Sequence, residues 1–226
     1  MSEKLPIISI LGGTGNLGFG LALRWVRSGY RVIVGSRDKK RSVATAKKIS
    51  NLLQVQNFIC GKTNINAASE CDIAVMTVPA CSQFEIASLV KKKLHGKILV
   101  DTTVPLIPPK ILRVQLPPEG SAVAALQKHL GEGIKVVSAF QNIAASQLID
   151  LESKIDCDVL VCGNKKTARQ QVITLANAAG LRAWHAGPIN NSAATEAMTS
   201  LLLFINKNYQ GENSGLRITG ANPKNG

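Results

Sequence analysis

Hydrophobic positions along this chain alternate between two patterns. Ile7-Ile8-Ser9-Ile10-Leu11 is a short apolar run that stops at glycines, as a buried parallel strand does. Asn16 to Ser28 then carries Leu17, Leu21, Leu23, Trp25 and Val26 at helical spacing. Gly29 supplies a helix stop, and Arg31-Val32-Ile33-Val34 resumes a strand that ends at Gly35. The alternation continues with a helix over Ser42 to Leu53, a strand near Phe58-Ile59-Cys60, a strand from Asp72 to Val78, a helix over Phe84 to Leu94 and a strand from Lys97 to Asp101. Later strands are predicted at Lys135 to Phe140, Asp158 to Cys162 and Leu181 to Trp184, with Lys166 to Ala179 helical between the last two. Strands that alternate with helices predict an α/β fold, a doubly wound parallel sheet covered on both faces.

Two stretches depart from the alternation. Val104 to Gly120 holds five of the nine prolines and reads as a long loop after a strand end. Such a loop either flanks a ligand site at the carboxyl edge of the sheet or is an inert insertion. After Gly187-Pro188 the strand signal stops, and Ser192 to Asn206 reads as one helix with Ala193, Ala197, Leu201 and Ile205 along one stripe. That helix also carries Met198, Leu202, Leu203 and Phe204, more apolar surface than one buried stripe needs, which predicts a two-fold homodimer.

Composition narrows the class. With 226 residues, 45% hydrophobic and 18% charged, the chain can bury one large core. The apolar run Leu201 to Ile205 is far short of the roughly 20 residues of a membrane helix. Leu5 to Leu11 passes straight into Gly12-Gly13-Thr14-Gly15 rather than a cleavage site, so neither a membrane span nor a signal peptide is predicted. Cys60, Cys71, Cys81, Cys157 and Cys162 form no Cys-x-x-Cys pair and fit a reducing cytoplasm. The 27 basic against 14 acidic residues give +13, which calls for an anionic partner. Aromatics are only 4% and no recognition-helix or zinc motif is present, so nucleic acid is set aside in favour of small phosphate-bearing ligands.

Gly13-Thr14-Gly15-Asn16-Leu17-Gly18 fits G-x-G-x-x-G, directly after a strand and opening an amphipathic helix, in a unit whose second strand ends about 20 residues later. In a dinucleotide site of this kind Gly13 makes the tight turn, Gly15 lets a pyrophosphate approach the backbone, and Gly18 lets helix and strand pack closely, while the helix N-terminus offers free N–H groups. The fold is therefore read as Rossmann-like, with a dinucleotide-binding domain over residues 1–187 and a small C-terminal helical segment over 188–226 for dimer and substrate contacts. At the second strand end, an acid would accept hydrogen bonds from a ribose 2′-hydroxyl, as in NAD sites. Here Gly35-Ser36-Arg37 has no acid, and a hydroxyl and a guanidinium both donate to a 2′-phosphate, with Arg41 one helical turn on. The predicted cofactor is NADP.

Ile10 to Gly18, Val34-Gly35-Ser36-Arg37 and Cys71-Asp72-Ile73-Ala74-Val75 resemble the NADPH-dependent F420 reductases. Lys135-Val136-Val137-Ser138-Ala139, Asp158-Val159, Val161-Cys162-Gly163, Gly180-Leu181-Arg182 and Ala186-Gly187-Pro188 follow in the same order, so the resemblance spans nearly the whole chain. It implies a dimeric cytoplasmic enzyme passing hydride between NADPH and the deazaflavin coenzyme F420 or its precursor FO. It also implies that Thr14 to Leu17 hold the pyrophosphate, that Ser36, Arg37 and Arg41 hold the 2′-phosphate, and that Thr77, Val78, Pro79, Ala80, Val104 and Ala145 line the nicotinamide side. Gln141, Asn142 and Ile143 are placed on the deazaflavin. Ala80 stands where the family can have Trp, and Gln141-Asn142 where it can have His-Thr.

No catalytic side chain and no metal ligand are predicted, because hydride transfer between two rings needs positioning and exclusion of water rather than a protein nucleophile. His95, His129 and His185 have no partner at triad or metal-ligand spacing; His185 is the one placed nearest a ligand. The same residues also admit an NADPH-dependent reductase of a small imine, ketone or flavin, and an NADP-binding redox sensor without turnover.

Overall fold

The computed structural model describes residues 5–222. Its elements run β1 (Ile8–Leu11), α1 (Asn16–Arg27), β2 (Val32–Ser36), α2 (Lys39–Leu53), β3 (Ile59–Thr63), α3 (Asn64–Glu70), β4 (Ile73–Met76) and α4 (Gln83–Val90). They continue with β5 (Ile98–Asp101), α5 (Ala122–Leu130), β6 (Lys135–Ser138), α6 (Ala145–Ile149), β7 (Asp158–Gly163), α7 (Lys166–Ala178), β8 (Arg182–His185) and α8 (Ser192–Asn208). The strand order is β3-β2-β1-β4-β5-β6-β7-β8. The chain thus starts in the middle of the sheet, winds out to β3 and returns to β4. This reversal opens a crevice at the carboxyl ends of β1 and β4, where Leu11 is in register with Gly35 on one side and Met76 on the other.

Alternation along each strand sends side chains to two cores. Ile10, Val75, Val100 and Val137 face one layer with Leu21 and Trp25 of α1 and Val172 and Leu175 of α7. Leu11, Met76, Leu99 and Val136 face the other, with Ile86 and Val90 of α4 and Val123 and Leu126 of α5. Because both faces are covered, β1, β2, β4 and β5 are buried at every position.

The expectation of a wholly parallel sheet is corrected at one place. β7 runs antiparallel to β6, with Val137 opposite Gly163 and Ser138 opposite Cys162. The connection between them holds only the short α6, which packs on α1 so closely that a Cβ on Gly20 would lie 2.6 Å from Leu148 Cβ. The chain therefore re-enters the sheet from the edge it left, since no helix carries it back across a face. A second correction is α3, which the hydrophobic pattern leaves out; it is capped by Thr63, whose Oγ1 accepts from Asn66 N.

Arg24, only 8% exposed, anchors α6 and α7 to α1. Its guanidinium donates to the carbonyls of Leu148 (2.9 Å), Ala179 (3.1 Å), Gln147 (2.9 Å) and Asp150 (2.7 Å), groups that helix ends leave without partners. Beyond α8 the chain returns to the sheet, where Asp158 N donates to Leu216 O at 2.7 Å. Among the described residues no helix is long and apolar enough to cross a membrane.

Candidate functional site

The carboxyl ends of β1, β2, β4, β5 and β6 border one cleft of about 700 Å³. Its floor is the glycine turn. The left-handed residue there is Gly12, at φ +77, whose added Cβ would lie 2.6 Å from Val78 Cγ1. The tight turn assigned to Gly13 thus belongs to Gly12, and Gly13 sits behind it, donating its N–H to Ile10 O and Gly35 O. Gly18 serves close packing, since a Cβ would meet Gly13 Cα at 2.7 Å and Thr77 Oγ1 at 2.8 Å. Gly15 precedes helix α1 without a side-chain cap, and no acid stands in the first turn, so the positive end of the helix suits an anion. Thr14, Gly15 and Leu17 line the cleft; Gly13, Asn16 and Gly18 do not.

Ser36, Arg37 and Arg41 form the basic end of the same cleft. Ser36 Oγ accepts from Asp38 N at 3.2 Å, which leaves its O–H available to donate. Asp38 also borders the cleft but is turned to its own helix, where Oδ1 accepts from Lys40 N at 2.8 Å and caps α2.

The other end is walled by Thr77, Val78, Pro79 and Ala80 after β4, Val104 and Leu106 after β5, Gln141 after β6 and Thr199 from α8. Phe140 precedes Gln141 at φ 71, a conformation held by its complete burial. Placement of the next residues in the cleft is corrected. Asn142 turns away, its Nδ2 donating to Asp158 O at 3.0 Å, and Ile143 packs in the core cluster that includes Leu148 and Phe140. Ala145 opens α6 and is likewise not part of the cleft wall.

The family described as "NADP oxidoreductase coenzyme F420-dependent" matches residues 7–105. The F420-dependent NADP reductase of Methanocaldococcus jannaschii is 42% identical over 219 residues, which covers 94% of this chain and 97% of that protein. The chain belongs to the F420-dependent NADP reductase family. The reductase of Methanothermobacter marburgensis is 36% identical over 218 residues, with coverage of 94% and 97%. A crystal structure from Arthrobacter sp. FB24 has the same fold at a TM-score of 0.81 and 24% identity, covering 95% of this chain and 100% of that one.

Within this member of the F420-dependent NADP reductase family, several cleft residues have no signal in the glycine motif. Asn64, the first residue of α3, accepts from Gly12 N at 3.3 Å through Oδ1 and so fixes the turn. Thr63 preceding a helix-length stretch was the available clue. Thr102, Leu106 and Thr199 also line the cleft. Thr199 Oγ1 reaches Gln141 O at 3.0 Å, a contact between residues far apart in sequence.

Two buried carboxylates support this wall from behind. Burial pushes the Asp101 carboxyl up, against hydrogen bonds from Thr103 and the Gln83 amide that favour its charged form. It holds the strand end that carries Thr102 and Thr103. Burial also raises Glu196 on α8, opposed by bonds from Ser121 Oγ (2.6 Å), Ala122 N (2.8 Å) and Val123 N (3.1 Å). Glu196 thereby fastens α8 to the start of α5. His185 lies away from the cleft, against Gln170 of α7 at 3.1 Å.

Proposed function

We propose that this protein transfers hydride between NADPH and coenzyme F420 or its precursor FO. The observation that carries the reading is one cleft with an uncapped helix N-terminus in the middle, Ser36, Arg37 and Arg41 at one end, and at the other a wall of Val78, Pro79, Ala80, Val104 and Leu106 interspersed with uncharged polar side chains. The donor set fits NADP: α1 N–H groups and Thr14 for the diphosphate, and two guanidiniums with a hydroxyl for the 2′-phosphate. When bound, NADPH supplies the hydride and the deazaflavin ring accepts it. Thr77, Val78, Pro79, Ala80 and Val104 hold the nicotinamide side and exclude water, and Gln141 meets a ligand ring. Ala80 leaves room beside Pro79 for a flat ring. Hydride would move from carbon to carbon without a protein nucleophile, and solvent would supply the proton that completes the reduced deazaflavin, so the contribution of the chain is positioning.

The unit over residues 1–187 binds the nucleotide, and the segment 188–226 adds Thr199 to the cleft and an association surface. Helix α8 buries Ser192, Thr195, Glu196 and Ser200 together with Leu202, yet exposes Leu201, Phe204 and Ile205, an apolar face that a helix ending at solvent would not carry. This supports a homodimer built on α8. Five free cysteines are in keeping with work in the cytoplasm.

Steady-state assays with NADPH and F420, FO, FMN or a cyclic imine test the reading. Bleaching of the deazaflavin with stoichiometric NADPH oxidation is expected. Turnover with FMN or the imine but not the deazaflavins would replace it by a different reductase, and binding without turnover by a sensor.

A further inference from the structure

Asn64 stands where two parts of the cleft meet. Its Oδ1 accepts from Gly12 N at 3.3 Å, and a Cβ on Gly35 would lie 2.8 Å from the same oxygen. The side chain therefore sits between the glycine turn after β1 and the end of β2, in space that a glycine at position 35 leaves open. Thr63 holds the backbone there, its Oγ1 accepting from Asn66 N. Asn64 lines the cleft and is 3% exposed.

The amide can be oriented only one way. Gly12 N–H needs an acceptor, so a half-turn of the amide would set Nδ2 against another donor. Oδ1 is thus committed to the turn, while Nδ2 has no acceptor among the described residues. The side-chain polar atoms that are both sealed from solvent and unpartnered, among the described residues, are Thr103 Oγ1, Gln141 Oε1, Arg169 Nε and His185 Nδ1. Asn64 Nδ2 is not one of them. It is a fixed donor that stays open to the cleft its residue lines.

Position decides what this donor meets. The turn that receives a diphosphate begins at Gly12, and the 2′-phosphate donors begin at Ser36, one residue after Gly35. In NADP the adenosine ribose joins those two phosphates, and its free hydroxyl is at the 3′ position. We propose that Asn64 is a further cofactor-binding residue whose Nδ2 donates to the 3′-hydroxyl oxygen of that ribose. This rests on the reading of the cleft as an NADP site. In an NAD site an acid at the end of β2 accepts from ribose hydroxyls; here a neutral amide donates, and it brings no negative charge beside the 2′-phosphate.

Calorimetric titration of the whole protein with adenosine 2′,5′-bisphosphate and with its 3′-deoxy analogue tests this without turnover. Wild type should bind the deoxy analogue about fivefold more weakly, the worth of one neutral hydrogen bond. In Asn64→Ala both ligands should bind more weakly, since the turn loses its lock, and the gap between them should shrink to within about twofold. A residue that only braces the turn would weaken both equally and keep the gap. That result, or equal binding of both ligands by wild type, would overturn the proposal and leave the NADP reading intact. Should Asn64→Ala not fold, the side-chain amide signal of Asn64 in proton–nitrogen correlation spectra of wild type decides. It should move further with the parent ligand than with the deoxy analogue, and equal movement would overturn the proposal. Failure of both NADPH and the bisphosphate to bind wild type would instead overturn the NADP reading, and this one with it.

Discussion

Trp25 and Phe140 meet edge to face, with ring centroids 6.0 Å apart and ring planes at 75°. The contact ties the helix that opens the glycine turn to the strand end that carries Gln141, and the Trp25 indole N–H is fixed in turn by Leu175 O at 2.8 Å. Phe140→Ala should cost about 3–5 kcal/mol, the usual range for emptying a buried aromatic site. Because Phe140 sits at φ 71, Phe140→Gly should be at least as stable as Phe140→Ala, the opposite of the usual order. Urea unfolding of the two variants decides; a Gly variant about 1 kcal/mol less stable than the Ala variant would show that the backbone there is unstrained.

The basic end of the cleft should choose between nucleotides. Arg37→Ala is expected to weaken NADPH by about 1.5–3 kcal/mol, the worth of a hydrogen bond to a charged group, and to leave NADH nearly unchanged. Parallel binding titrations check this, and equal losses for both would remove Arg37 from the 2′-phosphate.

Asp158 ties the returning C-terminal segment to β7. Its carboxylate accepts from Arg182 Nε (2.6 Å), Trp184 Nε1 (2.9 Å) and Ile218 N (2.6 Å). Burial pushes this carboxyl up, but those bonds outweigh it and its net shift is downward. A lowered folded value means stability that is full above the unfolded carboxylate value of about 3.9 and is lost as pH falls through the lower folded value. Melting temperatures of wild type and Asp158→Asn should therefore differ at pH 7 and converge as pH falls below the ordinary carboxylate range. A gap of constant size across that range would mean that the charge is not what holds the segment.

Association through α8 predicts that Leu201→Glu with Phe204→Glu yields a monomer, because both side chains lie on its exposed apolar face. Sedimentation at micromolar concentration measures it. A monomeric wild type would rule out the homodimer, and a double variant that still dimerises would move the interface elsewhere.

The parts of the site that the sequence made legible are those where backbone demands select a residue type. Gly18 sits where a Cβ would collide, and an absent acid at the end of β2 is visible in Gly35-Ser36-Arg37, whereas the left-handed turn read at Gly13 lies one residue earlier, at Gly12. Strand direction left no such mark: β7 is as apolar as the parallel strands at the centre of the sheet, and only the path of α6 turns it around. Helix α3 has seven residues, too few for a helical period to stand out, so Asn64 went with it. The family resemblance implies Gln141, Asn142 and Ile143 together on the deazaflavin, but of the three Gln141 lines the cleft, while Asn142 bonds to Asp158 O and Ile143 packs in the core. Thr199 meets the cleft through tertiary packing that no local pattern encodes.

The most direct test of the central claim is a single-turnover reaction of excess protein with stereospecifically deuterated NADPH and F420, followed by mass spectrometry of the reduced deazaflavin. Direct hydride transfer predicts deuterium on the deazaflavin from one of the two C4 epimers of NADPH and none from the other. Reduced deazaflavin without deuterium from either epimer, or no reduction at all, would contradict the account.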